Sequence, residues 1–379
     1  MARYLYLHIP FCLKKCIYCD FYSIPDGAPL MGAYVEALCL EMEMRQEHIE
    51  ELDAIYIGGG TPSILGEKEF AKIMDKIRSV FGISIQAEIT SEANPGTLTE
   101  IGINGMLDAG INRLSLGVQS LNNNELALLG RLHNSDDAVR AFDQARGGGF
   151  KNISVDLIYG IPGQTLETWG KTLEGVYSLC PDHISAYELT PEKNTPLYHQ
   201  LAKGALQLPD EDAVVEMYNY AIDHLAGRGY VHYEISNYAL PGYECRHNLN
   251  YWNRGEYLGA GAGAHSFVDD RRHANVCDIN RYIHEVNCGK LPVSETIKLT
   301  SQDALKELLF LGLRTTKGLD SRKIPTEAAG EMIKALEDPR LQGLVELSGN
   351  HIRLTRKGML FCNEVIVRLM LDIERTLPA

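Results

Sequence analysis

The chain has 379 residues, 45% of them hydrophobic and 23% charged, an ordinary globular composition that argues against a disordered or fibrous protein. Its 36 basic residues stand against 50 acidic ones, a formal net charge of −14; this argues against nucleic acid as a partner, since a sequence-independent binder needs surplus Lys and Arg to displace counterions. The N-terminus, Met-Ala-Arg-Tyr-Leu-Tyr-Leu-His-Ile-Pro-Phe, has no long apolar core or small-residue cleavage site, and no run approaches the roughly 18 apolar residues of a membrane helix. A cytoplasmic protein is expected; weak membrane association would leave no clear trace. The nine cysteines are then expected as thiols, metal ligands or buried residues rather than disulfides.

As far as about residue 240, short runs rich in Ile, Val, Leu and Tyr alternate with longer stretches of helical period. Strands are expected at 4–8, 54–57, 88–91, 113–117, 154–158 and 184–189. Helices are expected near 30–48, 67–79, 99–109, 135–146, 165–178 and 210–227. Repeated βα units mean parallel strands, because each crossover needs a helix. The first strand runs into a cysteine loop. The other five run into Gly58-Gly59-Gly60-Thr61-Pro62, Glu92-Ala93-Asn94-Pro95, Gln119-Ser120, the Asp156 segment through Gly160-Ile161-Pro162, and residues 188–191. In a βα barrel such loops share the C-terminal rim, where sites are built. The expected fold is α/β: a partial (β/α)6 TIM-like barrel over 1–240.

Over 241–299 the pattern breaks into aromatics, several His and a Gly/Ala run, read as an extension or lid of the barrel. Over 300–379 a new periodicity predicts helices at 301–313, 320–323 and 326–337. A hairpin of 344–347 and 352–354 and a last helix over 357–375 follow. Helices followed by a hairpin indicate a small C-terminal helical, winged-helix-like domain.

Cys12, Cys16 and Cys19 form C-x3-C-x2-C directly after the first strand. Three thiolates closing on one loop converge on a soft metal centre. A structural zinc site takes four ligands, usually in CxxC pairs. No second pair is present, so zinc would need His8 or Asp20; three unrelated buried thiols are the other alternative. On a cubane cluster, three ligands leave one iron open to a substrate or cofactor.

With Tyr6-Leu7-His8-Ile9-Pro10-Phe11 before the cysteines, Tyr18 among them and the glycine loop after the second strand, the chain resembles the radical SAM superfamily over nearly its whole length. It is most similar to the branch containing oxygen-independent coproporphyrinogen III oxidase. The resemblance implies a [4Fe–4S] cluster on Cys12, Cys16 and Cys19. It also implies S-adenosylmethionine (SAM) on the open iron, cleaved by one electron to a 5′-deoxyadenosyl radical. It assigns SAM contacts to Glu92, Gln119, Arg131 and Asp156 and places Tyr6 and Tyr18 near the cofactor; oxidases of this branch hold two SAM molecules. The residue chemistry is compatible. Gly59, Gly60 and Thr61 belong to a loop whose backbone can approach a ligand. Glu92 can accept from an ammonium or a ribose hydroxyl, Gln119 and Asp156 can bind ribose hydroxyls, and Arg131 can fork onto a carboxylate. Each also fits a structural role as a turn glycine, cap or loop bond.

Two features depart from the oxidase pattern. Oxidases carry a further cysteine two residues after the third ligand, where this chain has Phe21. They also have an N-terminal extension of a few dozen residues, whereas here the first strand begins almost at Met1. His247-Asn248-Leu249-Asn250-Tyr251-Trp252 instead resembles the HNxxYW motif of HemW-type haem chaperones. An imidazole can ligate haem iron axially, and Tyr251 and Trp252 offer flat faces to a porphyrin; the alternative is a satisfied polar His beside core aromatics. The resemblance implies a haem chaperone that binds haem, or another tetrapyrrole, and passes it to acceptor proteins. Coproporphyrinogen III oxidation in porphyrin biosynthesis is the alternative, and a binding protein that keeps SAM only as a ligand is another.

Other segments read as structural. Cys180-Pro181 ends a helix before a strand. Residues 259–264 form a close-packed turn rather than a dinucleotide loop, with His265 lining a cavity. Cys39, Cys245, Cys277, Cys288 and Cys362 are expected as buried small hydrophobes, and Leu305, Leu308, Leu309 and Leu313 as a core face.

Overall fold

Alternate residues of the central strands differ in kind, and that alternation organises the molecule. The computed structural model describes residues 1–25 and 27–374. In it β1 (Ala2–Ile9), β2 (Ile49–Gly59), β3 (Ile83–Ala93), β4 (Arg113–Gln119), β5 (Ile153–Tyr159) and β6 (His183–Glu188) lie side by side and parallel. Leu5, Leu7, Ile55, Ile57, Leu114, Leu116, Val155 and Leu157 form the apolar set and are fully enclosed. The alternate set is polar: Tyr6, His8, Tyr56, Glu92, Ser115, Ser154, Asp156 and His183 bond to one another inside the barrel. Barrels of this kind ordinarily fill their interior with branched apolar side chains. A polar interior has to be satisfied internally or by a ligand.

The crossovers carry α1 (Met31–Met44), α2 (Glu67–Val80), α3 (Glu100–Asp108), α4 (Asn123–Leu129), α5 (Ser135–Gly148), α6 (Leu166–Ser178), α7 (Pro196–Ala202) and α8 (Glu211–Ala226); α4 and α7 are short helices beyond the six expected from the sequence. In α2, Phe70, Ile73, Met74 and Ile77 fall on one stripe and are fully buried. Such burial contributes about 1.5–3 kcal/mol per side chain. Asn134 with Asp137, and Thr165 with Thr168, form capping boxes that start α5 and α6 where the sequence turns helical.

The region after 230 is more regular than its sequence suggests. β7 (Val231–Glu234) and β8 (Asn237–Ala239) extend the sheet antiparallel beyond β6. After α9 (Arg246–Trp252), β9 (Leu258–Ala260) pairs parallel with β1 at the opposite edge. The main sheet thus has nine strands in the order β9-β1-β2-β3-β4-β5-β6-β8-β7 and does not close. β10 (His265–Val268), β11 (Arg271–Asn275) and β12 (Val293–Lys298) form a separate antiparallel sheet, with α10 (Ile279–Asn287) packed on α1.

One buried carboxylate joins these parts. Glu41 of α1 accepts from Arg45 Nε (2.8 Å), Asn275 Nδ2 (2.8 Å), Gly261 N (2.8 Å) and the Tyr282 hydroxyl (2.7 Å). The chain must pass close to β1 here: a Cβ on Gly261, at φ +106°, would lie 2.6 Å from the His8 carbonyl oxygen.

The C-terminal region contains α11 (Ser301–Gly312), α12 (Thr326–Leu336), α13 (Arg356–Leu360) and α14 (Cys362–Glu374). Its small sheet has the order β13 (Leu319–Asp320), β15 (His351–Leu354), β14 (Val345–Ser348). Leu305, Leu309 and Leu313 are buried as expected, and Leu308 packs against them. Two expectations change. Residues 320–323 narrow to a 3-10 turn at Ser321–Lys323, and the last helix breaks at Phe361 into α13 and α14. Residue 375 lies outside the described residues.

Candidate functional site

β1 leads directly into the cysteine loop, which is anchored from three sides. Ile24 N donates to the Pro10 carbonyl (2.7 Å), Ile17 N to Leu129 (3.3 Å), and Leu197 N to Ile17 (2.9 Å). Cys12, Cys16 and Cys19 are half-buried, and all three are free thiols. Two donors point at their sulfurs: Thr61 Oγ1 at Cys12 Sγ and Arg131 Nη1 at Cys16 Sγ, both 3.5 Å. Among the described residues, no three His, Cys, Asp or Glu side chains close around a single ion. His8, the candidate fourth zinc ligand, has Nδ1 engaged by the Tyr6 hydroxyl (3.0 Å) and Nε2 by the Tyr22 carbonyl (2.8 Å). The remaining donor set is three soft sulfurs on one loop, which suits an iron–sulfur cluster.

The glycine loop lies against this segment. Gly60 N and Thr61 N donate to the carbonyls of Ile9 (2.8 Å) and Phe11 (2.7 Å), and Gly59 N donates to Glu92 Oε2 (3.1 Å). With these N–H groups engaged, the loop offers a ligand carbonyl oxygens rather than N–H donors, which suits an ammonium. Its glycines are also required by packing. Gly59 has φ +115°, and a Cβ there would lie 2.7 Å from the His8 ring; one on Gly60 would lie 2.6 Å from the Phe11 carbonyl oxygen.

The other predicted residues line the same rim. Glu92 accepts from the Tyr56 hydroxyl (3.0 Å), and burial, then the nearby Asp156, push its carboxyl up to about 7. Asp156 accepts from Ser115 Oγ (2.9 and 3.1 Å) and Ser154 Oγ (3.3 Å), and burial raises its carboxyl as well. Gln119 has φ +69° and packs with Arg131 over Gly117, whose carbonyl accepts from Arg131 Nη2 (2.6 Å). Arg131 thus bridges a cysteine sulfur and the barrel backbone. Tyr18 lies against it, and Tyr6 stacks on Tyr56 at 6.3 Å.

His247 is brought inside the barrel. It is 1% exposed and ringed by Tyr4 (6.1 Å), Tyr6 (6.3 Å), Tyr56 (5.3 Å) and Tyr251 (4.7 Å). Nε2 is hydrogen-bonded to the Tyr251 hydroxyl at 2.8 Å, whereas Nδ1 and Trp252 Nε1 are buried without a protein partner. Burial lowers its basicity to a pKa of about 3, so the imidazole is neutral. Tyr6 and Tyr56 touch both His247 and the groups around Glu92.

Tyr56, Ser115 and Ser154 were absent from the candidate set read from the sequence. Their signal is the period-two phase that places them on the same face as Tyr6, Glu92 and Asp156. Two cysteine expectations fail: Cys277 and Cys288 are exposed, while Cys39, Cys245 and Cys362 are buried. His265 is also exposed, at the start of β10.

A three-thiol loop at the open rim of a parallel half-barrel, beside a glycine turn and buried carboxylates, defines the radical SAM class. The radical SAM superfamily model matches residues 6–176, and the HemN C-terminal domain model matches 299–361. Within that superfamily the chain belongs to the HemW family. It is 36% identical to the "Heme chaperone HemW" of Lactococcus lactis, over 97% of each chain. It is 37% identical to that of Bacillus subtilis, over 95% of this chain and 97% of the relative. The solved structure of coproporphyrinogen III oxidase (HemN) from Escherichia coli is similar at a TM-score of 0.82 and 26% identity. That match covers 98% of this chain and 90% of the oxidase. Membership implies a [4Fe–4S] cluster and SAM. No described helix is long and apolar enough to cross a membrane.

Proposed function

We propose that the chain is a haem chaperone: it holds a [4Fe–4S] cluster and SAM at the barrel rim, binds haem, and passes it to acceptor proteins. Full-length similarity to HemW proteins supports this reading. The observation that carries it is the position of His247, in contact with Tyr6 and Tyr56, which also meet the groups around the SAM rim. The nine free cysteines fit a reducing, cytoplasmic setting.

Cys12, Cys16 and Cys19 would hold the cluster, and Gly59, Gly60, Thr61, Glu92, Gln119, Asp156 and Tyr6 would surround SAM. When bound, the pair supplies one-electron cleavage of the sulfonium. Thr61 and Arg131 would donate to the sulfurs of Cys12 and Cys16, with Tyr18 packed against Arg131. Carbonyls of the glycine loop and the Glu92 carboxylate accept from the ammonium or ribose.

Glu92 makes this assignment pH-dependent. Burial raises its carboxyl from an ordinary 4.5 to about 7, so the charged form is disfavoured in the unliganded fold. Its contribution to folding therefore becomes less favourable as pH rises from 4.5 to about 7. A cationic ligand reverses that preference and draws a proton off. SAM affinity is expected to rise with pH up to about 7 and then level, falling by up to about tenfold per unit below it. Calorimetric titration across that range checks this, and Glu92→Gln should flatten the profile.

His247 would meet haem through a ring nitrogen, and Nδ1 is the one with no protein partner, while Tyr251 holds Nε2. A haem titration tests the reading. The expected result is a Soret band on the wild type, weakened in His247→Ala; a wild type that develops no Soret band would overturn it.

A further inference from the structure

The enclosure of His247 raises the question of where a bulky tetrapyrrole first binds. A cavity of about 540 Å³ lies elsewhere: between the end of α1, β9 and the inner face of the β10–β12 sheet. Its size falls within the range of small-molecule sites. Strand register builds two rows on the sheet wall: Ser266, His273 and Thr296 are successive cross-strand partners, as are Val268, Arg271 and Lys298. Leu258, Val268, Leu291 and Val293 supply apolar surface. Arg271 and Lys298 are exposed at the mouth, and neither is in an ion pair among the described residues.

The imidazole on this wall is arranged differently from His247. His273 Nδ1 is hydrogen-bonded to Thr296 Oγ1 at 2.9 Å, which leaves Nε2 as the free pole; Nε2 has no protein partner among the described residues. Fixing one ring nitrogen in this way orients the other for a metal. Partial burial, with Arg45, Arg271 and His48 nearby, lowers its basicity. His48 also lines the cavity, while Arg45 is neutralised by Glu41 and Asp269 is the one acidic lining residue. Behind the cavity, Leu258 follows Tyr257, whose ring packs on Tyr251 at 4.6 Å; Tyr251 in turn holds His247.

Resting on the haem reading above, we propose that this cavity is an outer tetrapyrrole site. Its apolar walls take the macrocycle, Arg271 and Lys298 pair with the two propionates, and His273 Nε2 ligates the iron. The aromatic path through Tyr257 and Tyr251 connects it to His247.

The test is a titration of reconstituted full-length protein with haem and, separately, with metal-free protoporphyrin. Arg271→Glu with Lys298→Glu should weaken both ligands by about tenfold or more, since two attractive contacts become repulsive. Both side chains are exposed, so the fold should persist by circular dichroism. His273→Ala should shift and weaken the Soret band of haem yet leave protoporphyrin affinity unchanged. His247→Ala should leave the component sensitive to Arg271 and Lys298 in place. Wild-type affinity for both ligands in the pocket variants, with haem still bound, would overturn the outer site and leave the haem reading standing. Failure of the wild type to bind haem would overturn both.

Discussion

Serine in place of Cys12, Cys16 or Cys19, one at a time, is expected to remove the cluster and, with it, SAM cleavage. Each thiol is one of only three on the loop, so a neighbour cannot replace it: the next cysteine in sequence, Cys39, lies on the buried face of α1. A serine hydroxyl is a poor substitute for a soft thiolate ligand. Iron and sulfide content after anaerobic reconstitution should fall to near zero, together with 5′-deoxyadenosine formed on reduction. Serine at Cys180, Cys277 or Cys288, all exposed, should leave both unchanged. Full iron content in a single loop variant would mean that the ligands lie elsewhere. Arg131→Met should show a milder pattern, with the cluster assembled but less stable, because that change removes one donor to Cys16 rather than a ligand.

Loss of the Glu41 carboxylate should produce the largest change in stability. Glu41→Ala leaves Arg45, 3% exposed, as an unpaired buried charge and deprives Asn275, Gly261 and Tyr282 of their acceptor. Breaking a buried pair by removing one partner costs about 3–5 kcal/mol. Denaturant unfolding of the two proteins should differ by that amount at an unchanged slope. The exposed pair Lys171–Glu167 provides the contrast: Glu167→Ala should leave the unfolding midpoint nearly unchanged. Because Gly261 crosses the His8 carbonyl, loosening Glu41 should also unseat β9 from β1 and weaken the tetrapyrrole cavity beside it.

Sequence and structure agree most closely where the signals are local. The alternation in Tyr4-Leu5-Tyr6-Leu7-His8 and Arg113-Leu114-Ser115-Leu116-Gly117 marks strands with one apolar and one polar face, and β1 and β4 have that form. α2 and α8 begin and end within a residue or so of their expected limits because apolar periods mark both and Asp210 caps α8. The cysteine spacing and the polar residues at strand ends are equally local. What escaped notice depends on distant partners. β9 is three residues long and exists because Leu258, Gly259 and Ala260 find β1; β7 and β8 likewise rely on β6 and on each other. Strand formation in such short segments follows context rather than propensity. The enclosure of His247 is of the same kind, since its four tyrosines come from β1, β2 and α9. So is the difference between buried Cys245 and exposed Cys277, for which the residue type alone carries no signal.

The alternative activity and the chaperone reading part most clearly at one position. Phe21, 71% exposed beside the cysteine loop, stands where the oxidases resembled by this chain carry a cysteine. The most direct measurement is therefore anaerobic: reconstituted protein with dithionite, SAM and coproporphyrinogen III, assayed for protoporphyrinogen by fluorescence after oxidation, with a haem titration alongside. The chaperone reading predicts a Soret band and no protoporphyrinogen; sustained protoporphyrinogen formation would contradict it.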